Sequence, residues 1–261
     1  MSTRTSIEWT EQTWNPTVGC SKISPGCAHC YAEVMAKRLR AMGVKEYENG
    51  FRLTLLPERL EQPLRRKRPT VYFVNSMSDL FHEEIPESFI LQVFSVIRLA
   101  SQHTFQVLTK RAERMAEFFR RNPPPSNVWL GVTVENRAHG LPRLDALRQT
   151  PASIRFISVE PLLEDLCEFD LAGMDWVIVG GESGPKARPM KREWVLNVKR
   201  LSDEKGVPFF FKQWGTWSAD GKRLSKKHNG RSLDGRTWNT APRPLATLPL
   251  RPRESNRDYE I

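Results

Sequence analysis

The sequence lacks most of the short motifs that mark common enzyme classes. It has no Gly-x-Ser-x-Gly, no phosphate-binding P-loop and no His-Glu-x-x-His, which argues against the common hydrolases and NTPases. The Gly-x-Gly-x-x-Gly fingerprint of dinucleotide-binding folds is also missing after the first apolar run. The start, MSTRTSIEWTEQ, has no apolar signal segment, and no apolar run approaches the length of a membrane span. We therefore expect a cytoplasmic protein without a membrane partner.

Cysteine is scarce, and three of the four cysteines, Cys20, Cys27 and Cys30, lie within eleven residues. An odd number of neighbouring thiols without a secretory signal argues against a disulfide framework. Structural zinc usually has four Cys or His ligands, and His29 lies between two of the cysteines, where it cannot easily reach the same ion. The pattern favours a three-thiolate [4Fe–4S] cluster with one open iron, while zinc or redox-paired thiols remain alternatives. The distant Cys167 is expected to be a small buried residue.

Acidic residues are fewer than basic ones, 30 against 40 in 261 residues, which gives a formal net charge of +10. From Thr216 to the last residue there are ten Lys/Arg and five Asp/Glu, and a second basic run spans Leu64 to Pro69. This excess predicts a polyanionic partner, a nucleic acid or a nucleotide. The alternative is a solvated basic surface that keeps the protein soluble.

Apolar runs alternate with amphipathic segments along most of the chain. The runs are almost continuously apolar, as in strands buried on both faces of a parallel sheet. The order predicts an α/β fold, a partial (β/α) TIM-like barrel of about six to seven parallel strands; a flat doubly wound sheet is the alternative. The predicted strands are 14–18, 71–75, 104–109, 129–134, 154–159, 176–181 and 209–212, and the predicted helices are 31–42, 86–100, 111–121, about 141–148 and 192–205.

The periodicity fades after residue 215. We predict a barrel domain over residues 1–215, which includes the cysteine loop, and an irregular basic extension over residues 216–261. Trp217 and Trp238 are possible anchors for this extension, which would wrap the domain or contact a ligand.

Polar residues follow the predicted strands, and in a barrel the loops at the carboxyl ends of the strands form the active site. Each residue alone also has a structural explanation, such as a turn or a cap. The strongest element is Gly180–Ser183, because its glycines let a ligand approach the backbone and Glu182 can accept hydrogen bonds. Candidate catalytic side chains are Lys110, Glu182 and Lys212. The other strand-end candidates, for cofactor binding, are Asn75, Ser76, Ser78, Asp79, Glu135, Asn136, Glu160, Gly180, Gly181 and Ser183.

Several segments together resemble a known family. They are EWTEQTWNPTVGCSKISPGCAHCYAE, FVNSMSDLFH, FQVLTKR, VWLGVTVEN, SVEPLL, WVIVGGESG and FFFKQWG, with LDGRTW near the end. They resemble the phage-associated three-cysteine-motif family of largely unknown function. That family is related to radical S-adenosylmethionine (radical SAM) enzymes and distantly similar to spore photoproduct lyase.

The resemblance implies a [4Fe–4S] cluster on Cys20, Cys27 and Cys30 whose open iron binds S-adenosylmethionine. It places the segment 75–79 where such enzymes bind the methionyl amine. Glu135, Glu160 and Gly180–Ser183 would line the ribose and adenine side. Six residues separate the first two cysteines, whereas the common radical SAM motif has three.

The resemblance implies a radical SAM enzyme, with flavodoxin or ferredoxin as reductant, and the basic charge adds the prediction that it acts on a nucleic acid or nucleotide. One alternative is a non-enzymatic iron–sulfur or zinc protein that binds nucleic acid. Another is a phage or defence accessory that works with a partner protein.

Overall fold

A computed structural model of the chain describes residues 5–242. Its centre is a sheet of seven parallel strands whose spatial order equals their chain order. The first and last strands do not pair, so the sheet is a half-barrel, and the predicted partial barrel is confirmed. The strands are β1 (Gln12–Trp14), β2 (Val71–Val74), β3 (Thr104–Thr109), β4 (Val128–Thr133), β5 (Ile154–Val159), β6 (Trp176–Gly180) and β7 (Phe209–Gln213).

The helices lie between the strands, as the periodicity predicts. The ends of four predicted helices lie within one residue of the observed ends. The fifth, predicted at about 141–148, is observed at 143–149 after Pro142, and a separate short helix that was not predicted covers 137–140. The helices are α1 (Tyr31–Ala41), α2 (Glu87–Leu99), α3 (Ala112–Arg121), α4 (Arg137–Gly140), α5 (Arg143–Gln149), α6 (Arg192–Glu204) and α7 (Lys226–Asn229).

The two faces of the sheet are buried in different ways. The outer face packs against the helices in a large apolar core. The inner face carries a smaller aromatic cluster that includes Trp9, Phe73, Phe156 and Trp176. Gly131 belongs to this face, and a Cβ atom there would lie 2.5 Å from the ring of Phe156. Aromatic rings thus fill the interior of the half-barrel away from the carboxyl ends of the strands, and space remains near those ends.

The first strand differs from its prediction. Trp14 ends β1 instead of starting it, and Thr17–Val18 forms a separate antiparallel pair with Thr54–Leu55. Pro16 accounts for the break, because it lacks the N–H group that a further hydrogen bond between strands would need. Asn15 consolidates the turn, since its Oδ1 accepts hydrogen bonds from Ser76 Oγ at 3.2 Å and Met77 N at 3.0 Å.

The segment after β7 folds back on the half-barrel. It contains α7 and a small hairpin, Ser232–Leu233 with Arg236–Thr237. Trp217 Nε1 donates a hydrogen bond to Ala187 O at 2.6 Å, and Trp238 packs against the main core. The boundary between residues 215 and 216 remains a prediction, and residues 243–261 of the predicted extension lie outside the described residues. Within residues 5–242, no helix is both long enough and apolar enough to cross a bilayer.

Candidate functional site

A cavity of about 420 Å³ opens at the carboxyl ends of the strands. Most of the predicted site residues line it, including all three clustered cysteines. Those predicted residues are Cys20, Cys27, Cys30, Asn75, Ser76, Ser78, Asp79, Lys110, Glu160, Gly181, Glu182, Ser183 and Lys212. The cysteine loop therefore shares one cavity with side chains from β2, β3, β5, β6 and β7.

The cysteine loop is tied to the end of β2 at its first residue. Gly19 has a φ of 82°, and a Cβ atom there would lie 2.1 Å from Arg52 O, so only glycine fits this position. Its amide donates to Met77 O at 3.0 Å, and Ser78 Oγ donates to Gly19 O at 2.8 Å. At the other end of the loop, Cys30 directly precedes α1.

Arg111 holds the loop next to Cys20. Its Nη1 lies 3.6 Å from Cys20 Sγ, and its Nη2 donates to Ser21 Oγ at 2.9 Å. The same guanidinium pairs with Asp79 at 3.2 Å and with Glu83 at 2.8 Å. Asp79 is therefore fully engaged, because it also accepts hydrogen bonds from Thr109 Oγ1 and the Lys110 amide. It organises the loop and has little capacity left for a ligand.

A buried ion pair supports the loop from below. Glu135 is fully buried, and its Oε2 accepts a hydrogen bond from Arg143 Nη1 at 2.6 Å. A Cβ atom on Gly26 would lie 3.1 Å from the Glu135 side chain, so the loop packs directly on this carboxylate. Burial raises the pKa of the Glu135 carboxyl, but the hydrogen bond and charge of Arg143, with the charge of Lys110, outweigh burial and hold that pKa below its usual value.

A third contact comes from the segment after β6. Glu182 pairs with Arg188, whose Nη2 lies 2.7 Å from Glu182 Oε1. The same Nη2 donates to Pro25 O at 2.9 Å, in the middle of the cysteine loop. Glu182 lines the cavity, but its two oxygens are occupied by Arg188.

Three predicted residues do not line the cavity, for distinct reasons. Glu135 lies beneath the loop, as described above. Asn136 caps α4, where its Oδ1 accepts a hydrogen bond from His139 N at 2.9 Å. Gly180 lies under the Glu160 carboxylate, since a Cβ atom there would come within 2.4 Å of Glu160 Oε1. These three residues lie outside the lining of the cavity and support the residues that form it.

Charged and hydroxyl side chains form an array across the inner face of the half-barrel. Lys110 Nζ donates to Thr133 Oγ1 at 3.3 Å and has no carboxylate within ion-pair distance in the described part of the chain. Glu160 pairs with Lys212 at 3.0 Å and accepts a hydrogen bond from Ser158 Oγ at 3.2 Å. The array thus offers one unpaired ammonium group and one ion pair to a ligand.

Asn75 directly follows β2 and has a left-handed conformation, with a φ of 59°, which asparagine tolerates better than most residues. Its Nδ2 donates to Thr17 Oγ1 at 2.9 Å. Its Oδ1 is buried and has no hydrogen-bond partner. A buried acceptor without a partner is costly, and a ligand that donates a hydrogen bond would remove that cost.

The three clustered cysteines are all free and half-buried. Burial and the negative charge of Asp79 raise the pKa of the Cys20 thiol to about 11, against the opposing effect of Arg111. Burial also raises the pKa of the Cys27 thiol. The charge of Lys110 and hydrogen bonds from Ile23 and Ser24 outweigh burial and lower that pKa below its usual value. The charge of Lys110 and the hydrogen bonds within the loop thus favour the thiolate form of Cys27, the form that binds metals, whereas the surroundings of Cys20 favour its thiol.

Within residues 5–242, no three His, Cys, Asp or Glu side chains converge on a point that could hold one metal ion. Three soft sulfur donors on one loop, facing one cavity, are the type of donor that iron–sulfur clusters and zinc both use.

Sequence reasoning missed part of the site and misjudged one cysteine. The N-terminal residues Glu8 and Trp9 line the cavity, as does Lys226 from α7. Neither segment follows a strand of the sheet directly, so the strand-end rule could not find them.

Cys167 is exposed, and the prediction that it is buried is wrong. Its φ of 54° belongs to a surface turn in which Asp165 accepts a hydrogen bond from the Cys167 amide.

The family model described as "Protein of unknown function (DUF5131)" matches residues 4–242 of the chain. A comparison with curated proteins found no match.

Among solved structures, the chain is similar to spore photoproduct lyase at low identity. One cysteine-to-serine mutant is 14% identical, with a TM-score of 0.43 over 66% of this chain and 56% of the lyase chain. A tyrosine-to-phenylalanine mutant is 11% identical, with a TM-score of 0.46 over 81% of each chain. A third structure, described with bound AdoMet and dinucleoside spore photoproduct, is 12% identical, with a TM-score of 0.42 over 75% of this chain and 62% of the other. The chain spans little more than half of the first lyase structure, and likeness at this level does not assign an activity.

Proposed function

Because the chain belongs to a family of proteins of unknown function (DUF5131), we propose a function from the site itself: a [4Fe–4S] enzyme of the radical SAM type that acts on a nucleic acid or nucleotide. The observation that carries the proposal is that Cys20, Cys27 and Cys30 are free and line the same cavity as the polar strand-end side chains. A structural metal site is normally closed by its ligands, whereas these thiols border a space large enough for a ligand.

The three thiolates would hold the cluster, and the surrounding network would hold the thiolates. Arg111, Glu135 and Arg188 each fix a different part of the loop. Such outer contacts orient ligands and tune the metal they bind. The loop is therefore pre-organised to receive a cluster.

Asn75, Ser76 and Ser78 form the wall nearest the start of the cysteine loop. The partnerless Oδ1 of Asn75 suits the ammonium group of a methionyl moiety, because it is an acceptor without a donor. Glu160, Gly181 and Ser183 border the cavity from β5 and β6 and would take the hydroxyls of the ribose and the edge of the adenine. When bound, the cluster and S-adenosylmethionine would supply a 5′-deoxyadenosyl radical, formed with methionine when the S–C5′ bond is cleaved by one added electron.

The candidate catalytic residues take different roles in this proposal. Lys110 is the cation available to a substrate anion or carbonyl, since among the described residues its ammonium donates a hydrogen bond to Thr133 and has no carboxylate within ion-pair distance. Lys212 orients Glu160, which it holds at 3.0 Å. Glu182 acts by fixing Arg188 on the loop, so we assign it a positioning role. Rings of the inner face close the bottom of the cavity and exclude water from it.

The basic segment after residue 215 would supply contacts to phosphate. Lys226 lines the cavity, and Lys227 and His228 follow it on α7. Lys226 is only weakly paired, at 3.7 Å from Glu8. A lysine at the cavity wall, followed by two further basic residues, favours a polyanion over a neutral molecule as the substrate. We propose on this basis that residues 216–261 form a substrate-binding extension of the barrel domain.

The test is anaerobic reconstitution of the full chain with iron and sulfide, followed by dithionite and S-adenosylmethionine. We expect about four irons per chain, which is the content of one [4Fe–4S] cluster. We also expect formation of 5′-deoxyadenosine and a change in the EPR signal of the reduced protein when S-adenosylmethionine is added. Replacing Cys20, Cys27 or Cys30 with Ala should abolish the absorbance of the cluster, and Cys167→Ala is the matched control that should retain it.

Two results would contradict the proposal. Stoichiometric zinc without iron would mean that the thiols form a zinc site. A stable cluster that yields no 5′-deoxyadenosine, with an EPR signal that does not respond to S-adenosylmethionine, would favour the non-enzymatic nucleic-acid-binding alternative.

A further inference from the structure

The segment before β1 places a carboxylate in the cavity that the proposed function does not use. Glu8 lines the cavity, and its side chain is only 10% exposed. Its Oε2 is buried and has no hydrogen-bond partner among the described residues. Its Oε1 lies 3.7 Å from Lys226 Nζ, which is too far for a hydrogen bond. A carboxylate buried in this way is costly, and a ligand with N–H groups would remove that cost.

An apolar floor belongs to the same cavity. Trp9, Phe73 and Leu108 line it. Phe73 on β2 and Leu108 on β3 lie two residues before Asn75 and Lys110, so they are one step further from the carboxyl ends of the strands. The ring of Trp9 packs on Phe73, with ring centroids 4.7 Å apart. The deep end of the cavity therefore offers a flat apolar surface, which suits the face of a heterocyclic ring.

The ring of Trp9 also carries a donor without a partner. Its Nε1 is buried, and no acceptor in residues 5–242 lies within hydrogen-bond distance of it. A buried indole N–H group usually has a partner. Trp9 directly follows Glu8, and both residues line the cavity. One short turn therefore carries a carboxylate oxygen and an N–H donor that both lack hydrogen bonds.

Among the common nucleobases, guanine matches these groups best. A carboxylate only accepts hydrogen bonds, and its two oxygens select a ligand edge with two adjacent N–H donors. Guanine has such an edge, N1–H and the 2-amino group, next to the acceptor O6. Adenine and cytosine place an unprotonated ring nitrogen beside their amino group, and uracil and thymine flank their single N–H with carbonyl oxygens. With any of these four, one carboxylate oxygen would face another acceptor.

We propose that Glu8 and Trp9 form a subsite for a guanine base of the substrate. The carboxylate of Glu8 accepts hydrogen bonds from N1–H and the 2-amino group, Trp9 Nε1 donates to O6, and the apolar floor contacts the face of the base. This inference rests on the proposed function, because it takes a nucleic acid or nucleotide as the substrate and narrows that class to one base. Lys226 stays available to phosphate, since its ammonium forms no hydrogen bond with Glu8.

The experiment measures binding of two ligand pairs to the reconstituted full-length protein by calorimetry, without S-adenosylmethionine. The first pair is guanosine and inosine 5′-monophosphate, and the second is a single-stranded oligothymidylate with one central deoxyguanosine or deoxyinosine. Hypoxanthine, the base of inosine, differs from guanine only in lacking the 2-amino group. We expect guanine to bind about tenfold more tightly, because hypoxanthine leaves one carboxylate oxygen without its hydrogen bond. A preference in the first pair alone identifies a free nucleotide as the ligand, and a preference in the second alone identifies a nucleic acid.

Two variants assign the preference to the turn. Glu8→Gln keeps the size of the side chain, and we expect it to bind guanine at least about tenfold more weakly and hypoxanthine within about threefold of guanine. Trp9→Phe keeps an aromatic ring and should weaken both ligands of a pair alike, because both carry O6. Glu113→Gln is the matched control, since it makes the same charge change at an exposed position on α3 and should bind like the wild type. Circular dichroism establishes that the variants are folded.

Three outcomes would overturn the guanine subsite. The first is equal binding of guanine and hypoxanthine by the wild type in both pairs, a result that needs no variant. The second is a folded Glu8→Gln variant that keeps the wild-type preference. The third is binding of a diamine, putrescine, that is tighter than binding of either guanine ligand and is lost in Glu8→Gln, which would mean that the carboxylate holds an ammonium group.

These measurements are separate from the test of the proposed function. A protein that forms 5′-deoxyadenosine but does not distinguish guanine from hypoxanthine would retain the proposed activity and lose the subsite. A protein that prefers guanine but forms no 5′-deoxyadenosine would retain the subsite and lose the radical SAM activity.

Discussion

The buried pair of Glu135 and Arg143 gives the sharpest test of how the cysteine loop is supported. We predict that Arg143→Met lowers the free energy of unfolding of the apoprotein by about 3–5 kcal/mol near pH 7, because it leaves a fully buried carboxylate without its partner. Against a typical total of about 5–15 kcal/mol, such a loss is a large fraction of the stability. It changes the unfolding equilibrium constant by about two to almost four powers of ten.

The effect should depend on pH in a defined direction. In the wild type the pKa of Glu135 is depressed, so its contribution to stability is present above the unfolded-state pKa of about 4.3 and is lost as the pH falls through the lower folded-state pKa. In Arg143→Met the carboxyl keeps its burial but loses the hydrogen bond, so its pKa rises above the unfolded value. The variant then regains relative stability as the carboxyl takes up a proton. The difference from the wild type should therefore shrink as the pH falls towards about 4.

The assay is urea denaturation of wild type and variant at several pH values between about 4 and 8, compared through the difference in unfolding free energy. Glu135→Gln/Arg143→Met removes both charges and should recover most of the loss. Arg121→Met is the control, since Arg121 pairs with Glu87 on the exposed surface and should cost about 1 kcal/mol or less. A loss below about 1 kcal/mol for Arg143→Met, or a loss that does not change with pH, would refute the reasoning.

Three further predictions concern the walls of the cavity. Arg188→Met removes the donor to Pro25 O, so it should lower the free energy of unfolding by about 1–3 kcal/mol and make the absorbance of the reconstituted cluster decay faster. Arg192→Met, at an exposed pair with Asp234, should change neither quantity. Asn75→Ala should be less stable than Asn75→Gly by about 1 kcal/mol in thermal unfolding, because the backbone there has a positive φ, and both variants should lose affinity for S-adenosylmethionine in calorimetry. Lys226→Gln/Lys227→Gln should weaken binding of a single-stranded oligonucleotide and reduce the slope of log affinity against log salt by about 1 to 2. Arg98→Gln/Arg120→Gln, exposed on the outer helices α2 and α3, should leave that slope unchanged.

Much of the fold follows from short-range patterns in the sequence. The near-continuous apolar runs identify β2 to β7 because both faces of a parallel sheet are buried. Parallel strands also bring their carboxyl ends to one edge, so the rule that found Lys110, Glu160 and Lys212 is a consequence of topology. Within each strand the side chains alternate, which places Ser158 and Glu160 on the same inner face.

The remaining site features depend on contacts between distant segments. Nothing in the spacing says that Arg143 reaches back to Glu135, or that Arg188 reaches Pro25 across more than 160 residues. Ser158 and Thr133 read as ordinary strand residues, because serine and threonine within a strand carry no positional signal of their own. Trp9 lies in a segment before the first strand. Its ring packs in the aromatic cluster on the inner face of the half-barrel, a contact that depends on the fold of the whole sheet.

The support of the cysteine loop also decides how cluster binding should relate to folding. Small metal domains with few other contacts are unfolded without their metal, because the metal supplies most of the folding energy. Here the loop is held by Arg111 from the end of β3, Glu135 from the end of β4 and Arg188 from the segment after β6, and none of these contacts needs a metal. The apoprotein should therefore be fully folded, and the cluster should change the unfolding free energy only through its own binding affinity. If the loop were instead disordered without a cluster, Ser21 and Pro25 would exchange their partners for water, and Arg111 and Arg188 variants would leave cluster affinity unchanged. The contacts of Arg111, Glu135 and Arg188 are therefore the reason to treat the loop as a preformed site, and these two outcomes distinguish a preformed loop from a disordered one.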